Sequence, residues 1–208
     1  MTRGRPRQFD PDAALDHALA LFARDGFEKA SVQELAERMA ICKPSLYAAY
    51  GNKETLFIEA LRRYAAQGAE QRAALLNDEP DGRRAVEALL RMTATEVTRG
   101  ETAGCLIVSE AAATPSGYPP AVRDAVASAL ASGAAQLRAR LVRAQREGDL
   151  DAAMDVDALT TYFSTVMVGM TVQARNGTTS AQLCAAASVA MSVWSGASAE
   201  SAMHRRDR

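Results

Sequence analysis

SVQELAERMAICKPSLYAAYGNK, from Ser31 to Lys53, is the stretch on which the fold turns. Ser31 is followed three residues later by Glu34 and then by an apolar run, the spacing of a capping box. The hydroxyl takes the Glu34 N–H, and the carboxylate reaches back to the Ser31 N–H. A helix therefore starts there. Val32, Leu35, Ala36 and Met39 recur at i, i+3, i+4 and i+7, with Gln33, Glu34, Glu37 and Arg38 on the other side, so one face must be buried. Ala40-Ile41-Cys42 is too short for a loop of its own. Pro44 lacks an N–H and is tolerated only in the first turn of a helix, which starts a second helix at about Lys43. On it Leu46 and Tyr50 share the face that docks on the first helix, leaving Lys43, Ser45, Tyr47 and Ala48 pointing elsewhere. Two short helices joined by a tight turn, the second reaching outward, form the pattern of a helix-turn-helix DNA reader.

Upstream, Asp10-Pro11 is an N-cap followed by proline at the first helical position, and Leu15, Ala18, Leu19 and Phe22 carry a stripe to Asp25-Gly26. Gly26 is placed to end that helix in a left-handed conformation, with Phe27 folding back. Before it, TRGRPRQ alternates Arg3, Arg5 and Arg7 with small or rigid residues, an extended and positive arm. Such an arm is either a solvated tail or a set of guanidinium groups for a narrow, electronegative minor groove; a helix-turn-helix directly behind it favours the groove. Downstream, Asn52 is the cap of a further helix carrying Leu56, Phe57, Ala60, Leu61 and Tyr64 to about Asn77, long enough to link two domains.

The helices then lengthen. NDEPDG, from Asn77 to Gly82, is a turn-rich break, after which Val86, Leu89, Leu90 and Thr93 open a helix ending near Gly100. Cys105-Leu106-Ile107-Val108 runs into Ala111 to Ala113 and stops at Thr114-Pro115-Ser116-Gly117. It reads as one buried helix of a few turns, with a strand left open by periodicity alone. Pro119-Pro120 starts a long helix bearing Val122, Val126, Leu130, Leu137, Leu141 and Val142 to Gly148, with Arg138, Arg140, Arg143 and Arg146 as its solvated side.

Asp155 or Asp157 caps Leu159 to about Arg175, and Ser180 caps Leu183 to Trp194. Both helices are rich in Ala, Val, Met, Ser and Thr with almost no charge, and a helix apolar or small on nearly all sides is buried on nearly all sides. A core hairpin within one chain would satisfy this; a terminal hairpin of a modest chain is better covered by its own copy, in an isologous four-helix bundle. After Gly196, SAESAMHRRDR has no stripe and is expected to fray. The whole reads as all-α with about nine helices. Its parts are a flexible basic arm (1–8), a helix-turn-helix DNA-binding domain (9–53), a linking helix (54–77), a ligand-binding and dimerisation domain (78–196) and a tail (197–208).

Composition sets limits on function. In 208 residues, 48% apolar, there is ample material for one large or two modest domains. A net charge of -1 gives no whole-protein bias toward nucleic acid, so any basic surface is local. Cys42, Cys105 and Cys184 form no close-spaced pair and no secretory apolar segment follows Met1, which fits a reducing cytoplasm. Every apolar stretch is broken by charge, Gln or Gly within fewer than the ~20 residues a bilayer span requires. An enzyme would need convergent acids, bases or ligands, but His17 lies on the first helix and His204 in the tail. No Cys/His spacing fits zinc and no Gly-rich loop follows a strand, so no catalytic residue, cofactor or metal is expected.

Three runs, GRPR, LFARDGFEKASVQELAERM and SLYAAYGNKETLF, resemble the TetR/AcrR family of transcriptional regulators, most closely from Arg5 to Leu56. Beyond residue 70 only helix order and the terminal hairpin agree. The resemblance implies that Ser31, Tyr47 and Lys53 hold phosphates, while Lys43, Pro44 and Ser45, opening the recognition helix, face base edges. Helix N-termini attract phosphate, and only the start of a recognition helix reaches the groove floor. For Tyr47 the alternative is a half-buried core aromatic. The chain departs from the family at Ala40, where Gly is usual, and at Cys42, where Ser or Thr caps better. Ala48 and Ala49, where a polar residue is common, offer only apolar contact, as to a thymine methyl.

The function this implies is a dimeric, ligand-released repressor of a pseudo-palindromic operator, its two recognition helices set about 34 Å apart. A small-molecule effector between the middle helices would favour a state whose separation no longer fits DNA. Met92, Thr95, Cys105, Phe163, Met167 and Met170 are the candidate pocket residues, although Met at helical spacing also serves as plain core filling. Gly104-Cys105 ahead of an apolar helix resembles members that respond to electrophiles or oxidants, an alternative signal to be weighed against a small buried hydrophobe.

Overall fold

The computed structural model describes residues 10–100, 103–113 and 117–194, and every regular element among them is helical. The helices are α1 (Pro11–Lys29), α2 (Val32–Arg38), α3 (Lys43–Tyr50), α4 (Lys53–Asp78), α5 (Gly82–Glu96), α6 (Leu106–Ala113), α7 (Pro120–Glu147), α8 (Val156–Arg175) and α9 (Ser180–Ala190). A 3-10 turn at Met191–Val193 follows. The chain divides into two compact units, Met1–Ala66 with Ser109–Ala129, and Gln67–Val108 with Leu130–Arg208. None of the described helices is long and apolar enough to cross a membrane.

In the first unit, side-chain caps start the helices. Asp10 accepts from the N–H groups of Asp12 and Ala13 at 2.9 and 3.4 Å, and Asn52 accepts from the Thr55 N–H at 2.8 Å. The Ser31/Glu34 capping box is closed in both directions, at 3.1 and 3.3 Å. α1 bends at Gly26, whose φ of +78° suits glycine. Its buried face is Ala14, Ala18, Leu21 and Phe22, with Leu15 and Leu19 only half-buried. Phe57 of α4 meets Phe22 and Phe27 edge-on at 5.0 and 5.1 Å. Leu35, Leu46, Leu56 and Leu61 complete this core. The segment that periodicity left open between helix and strand is helical, as α6.

In the second unit, α5 packs on α8 and α9, and α8 packs on α9. Leu89, Leu90, Leu137, Leu141, Leu150 and Phe163 are fully buried there. Asp81 caps α5 and Asp155 caps α8. The cap of α9 is Thr179 rather than Ser180, because only Thr179 stands three residues before Gln182, which closes a second capping box. α9 also ends at Ala190, short of Trp194, whose indole N–H donates to the Asp149 carbonyl at 3.1 Å.

Two expectations for α7 are corrected. Leu130 is 37% exposed, and Arg140, assigned to the solvated side, is 2% exposed. Its guanidinium donates to the Glu79 and Pro80 carbonyls at 3.2 and 3.0 Å, so the turn between α4 and α5 supplies acceptors that the helix pattern alone could not show.

Candidate nucleic-acid interface

The turn between α2 and α3 is built on Ala40, the only non-glycine residue with positive φ among the described residues, at +54°. That left-handed step lets the Ile41 N–H return to the Ala36 carbonyl at 3.0 Å and redirects the chain within three residues. α3 then opens with Cys42 as N-cap. The Cys42 carbonyl takes the Leu46 N–H at 3.0 Å, but its side chain forms no capping hydrogen bond, since sulfur is a weak acceptor. Cys42 Sγ lies 3.1 Å from Ser45 Oγ instead. Hydrogen bonding from the Ser45 hydroxyl, the largest cause, holds the Cys42 thiol below its usual range.

One face of α3 is locked inward. Leu46 is fully buried, and the buried Tyr50 gives its hydroxyl hydrogen to the Pro11 carbonyl at 3.3 Å. Lys43, Pro44 and Ala48 are exposed on the other face, and Tyr47 is 49% exposed rather than a core aromatic. Ser45 and Ala49 are half-buried between the two faces. The first turn of α3 therefore presents a cation, a proline ring and backbone N–H groups without a side-chain cap, and the second turn adds the Tyr47 hydroxyl, the inventory for phosphate and base-edge contacts.

Two of the expected phosphate groups have other partners. Ser31 donates its hydroxyl hydrogen to Glu34 Oε2 at 2.8 Å within the capping box. Lys53 Nζ stands 4.8 Å from the centre of the Phe27 ring and donates to the Glu28 carbonyl at 3.1 Å. Burial lowers the Lys53 pKa from its ordinary value. Arg3, Arg5 and Arg7 lie outside the described residues.

The six pocket candidates all fall in the second unit. Phe163 and Met170 are buried in its core, while Met92 and Met167 pack against that core half-buried. Cys105 is half-buried just before α6. Thr95 is exposed, with its hydroxyl donated to the Arg91 carbonyl at 3.0 Å.

A family model described as bacterial regulatory proteins, tetR family, matches residues 14–60, and a tetracyclin repressor-like C-terminal domain model matches residues 80–191. The chain belongs to the tetR family. This tetR-family chain is a DNA-binding transcriptional regulator. It is 32% identical over 188 residues to the HTH-type transcriptional repressor BdcR of Escherichia coli (strain K12), covering 90% of each chain. It is 31% identical over 195 residues to ComR of the same strain, covering 93% of this chain and 92% of that one. Among solved structures, a cysteine mutant of the TetR family regulator CifR complexed with 26-bp double-strand operator DNA aligns with a TM-score of 0.86. Identity there is 40%, over 92% of this chain and 100% of that one. The reduced form of Escherichia coli NemR shares the fold at a TM-score of 0.76 and 19% identity, over 89% of this chain and 97% of that one.

Two features of this tetR-family chain escaped the sequence reading. Tyr162, Val168, Val172 and Val189 leave an apolar strip of α8 and α9 in solvent, at 37%, 41%, 49% and 72% exposure. The composition of these helices signalled extra burial but not which face required it. Glu110, 2% exposed on α6, accepts the Phe27 N–H at 3.0 Å. A lone acid within LIVSEAAA was the available signal, since an apolar segment buries a carboxylate only where donors meet it.

Proposed function

We propose that this tetR-family chain represses transcription as a homodimer whose two α3 helices read a pseudo-palindromic operator, and that a small-molecule effector releases it. The observation that carries this reading is α3 itself, clamped to the core by Leu46 and Tyr50 while Lys43, Pro44, Tyr47 and Ala48 stand free on its outer face. Lys43, Pro44 and Ser45 face base edges, and Tyr47 holds a phosphate. Ser31 adds a phosphate contact by turning its hydroxyl from Glu34, and Lys53 adds one with the ammonium hydrogens not given to Glu28. Arg3, Arg5 and Arg7 enter the minor groove. The operator complex of the 40%-identical CifR mutant supports the placement of DNA on this motif.

The apolar strip of α8 and α9 supports the dimer, since a second copy turns it into the centre of a four-helix bundle. The effector contacts Met92, Cys105, Phe163, Met167 and Met170, with Thr95 at the edge, and favours the state whose α3 separation misses successive major grooves; DNA weakens the effector by the same factor. A thiol-modifying signal at Cys105 is the second reading, supported by a half-buried thiol outside any disulfide directly ahead of α6. DNA release by oxidants that persists in Cys105→Ser would remove it.

The test is fluorescence anisotropy on a selected operator duplex. A Lys43→Ala/Tyr47→Ala double variant is expected to lose affinity about tenfold or more and to show a shallower salt dependence. Wild-type affinity and salt slope in that variant would overturn the assignment of α3.

A further inference from the structure

Glu110 is the only acid of α6, and its N–H partner, Phe27, lies 83 residues upstream on α1. That N–H is available because Gly26, at φ +78° and ψ 175°, leaves the helical conformation and breaks the α1 ladder. Phe27 thus opens a new turn, whose first N–H has no acceptor within its own helix. Glu110 serves as an N-cap supplied by another element. The fit is close: a Cβ on Gly26 would lie 2.8 Å from Glu110 Oε1.

The same junction is held from every side. Tyr118 packs edge-on against Phe27 at 5.3 Å, and burial, then the Glu110 carboxylate, raise the pKa of its hydroxyl. Phe57 takes another edge of the Phe27 ring, and Lys53 sits over it while holding the Glu28 carbonyl. Three residues after Phe27 the chain reaches buried Ala30 and then Ser31, the cap of α2. The direction in which α2 and α3 leave α1 is therefore set at Gly26-Phe27, and Glu110 fixes that point.

We propose that Glu110 is a positioning residue for DNA reading, its carboxylate holding the Gly26-Phe27 junction and thereby orienting the α2–α3 motif. This rests on the DNA-reading assignment of α3. It gives control of the reader to α6, the helix along which the chain passes from the second unit back into the first.

The experiment uses a fluorescein-labelled duplex selected from randomised DNA by the full-length wild-type protein. Binding is measured over a salt series, at a temperature where thermal melts show each variant folded. Glu110→Gln keeps an oxygen for the Phe27 N–H and is expected to bind within about threefold of wild type. Glu110→Ala removes the acceptor and is expected to lose about tenfold, with a shallower salt slope because fewer phosphates are met at once. Gly26→Ala, whose new Cβ displaces the carboxylate, is expected to lose as much, and the double variant Gly26→Ala/Glu110→Ala no more than the weaker single variant.

Glu110→Ala within twofold of wild type and with an unchanged slope overturns the proposal, as does Glu110→Gln binding as poorly as Glu110→Ala. Should Glu110→Ala fail to fold, Gly26→Ala carries the test, and wild-type affinity and slope there overturn it equally. Wild-type protein that selects no sequence overturns the reading of α3 instead, before any variant is made.

Discussion

Ala40 occupies a left-handed position that costs an L-residue roughly 1–2 kcal/mol, against about 0.5–1 kcal/mol of extra chain entropy lost by glycine. Ala40→Gly is therefore expected to stabilise the protein by up to about 1 kcal/mol, seen as a rise of about 2–4 °C in Tm by circular dichroism. A lower Tm would show the turn to be strained elsewhere. Cys42, two residues on, is exposed, and hydrogen bonding from Ser45 favours its thiolate. Iodoacetamide should label it before Cys105 and Cys184, with a midpoint on the pH axis below that of a free thiol, about 8.5, and Ser45→Ala should move that midpoint up. Peptide mass mapping across a pH series checks both shifts. Residues whose role depends on near neighbours were legible in the sequence: Ser31 met Glu34 because a capping box spans four positions, and Ala40 and Cys42 stood out as departures at known places. Arg140 was misjudged as freely solvated, and the bond of Lys53 to the Glu28 carbonyl went unread, because these carbonyl partners, with those of Glu79 and Pro80, come from elements distant in sequence.

At the scale of elements, the junction of α1, α4, α6 and the start of α7 has a titration signature. Burial, then the negative charges of Glu110 and Glu28, push the Tyr118 pKa up to about 12. A pKa raised by folding favours the neutral phenol in the native state. Its contribution is complete below the unfolded value of about 10 and is lost as pH rises through about 12. In a spectrophotometric titration one of the five tyrosines should ionise last, and Tyr118→Phe should delete that step alone. Five tyrosines titrating together near pH 10 would contradict the buried contact with Glu110. The caps Asp10, Ser31 and Asn52 were readable because each acts within three residues; Asp155 was one of two candidates, and Asp81 was read only as part of a turn. α9 was misplaced by one position because Thr179 and Ser180 are both cap types and only Gln182 separates them. The exposure of Leu130 and the burial of Arg140 were unreadable, since a helix of 28 residues packs differently along its length.

The whole molecule carries a net charge of -1, so DNA affinity has to come from local groups presented twice rather than from a global field. Pairing two readers on one duplex raises affinity by about 10²–10⁴ through effective concentration. Val168→Asp/Val172→Asp places two carboxylates on the exposed strip of α8, which a second copy would bury. Light scattering after gel filtration should then show a monomer, and operator affinity should fall by about 10²-fold or more while the helical signal is retained. A dimer of unchanged affinity would move the interface away from this hairpin. The measurement that bears most directly on the central claim is selection of duplexes from randomised DNA by the wild-type protein, followed by sequencing. Enrichment of an inverted repeat, its half-site centres about 10–10.5 base pairs or a multiple apart, is the expected result; recovery of unenriched DNA, or of a single site without symmetry, would contradict it.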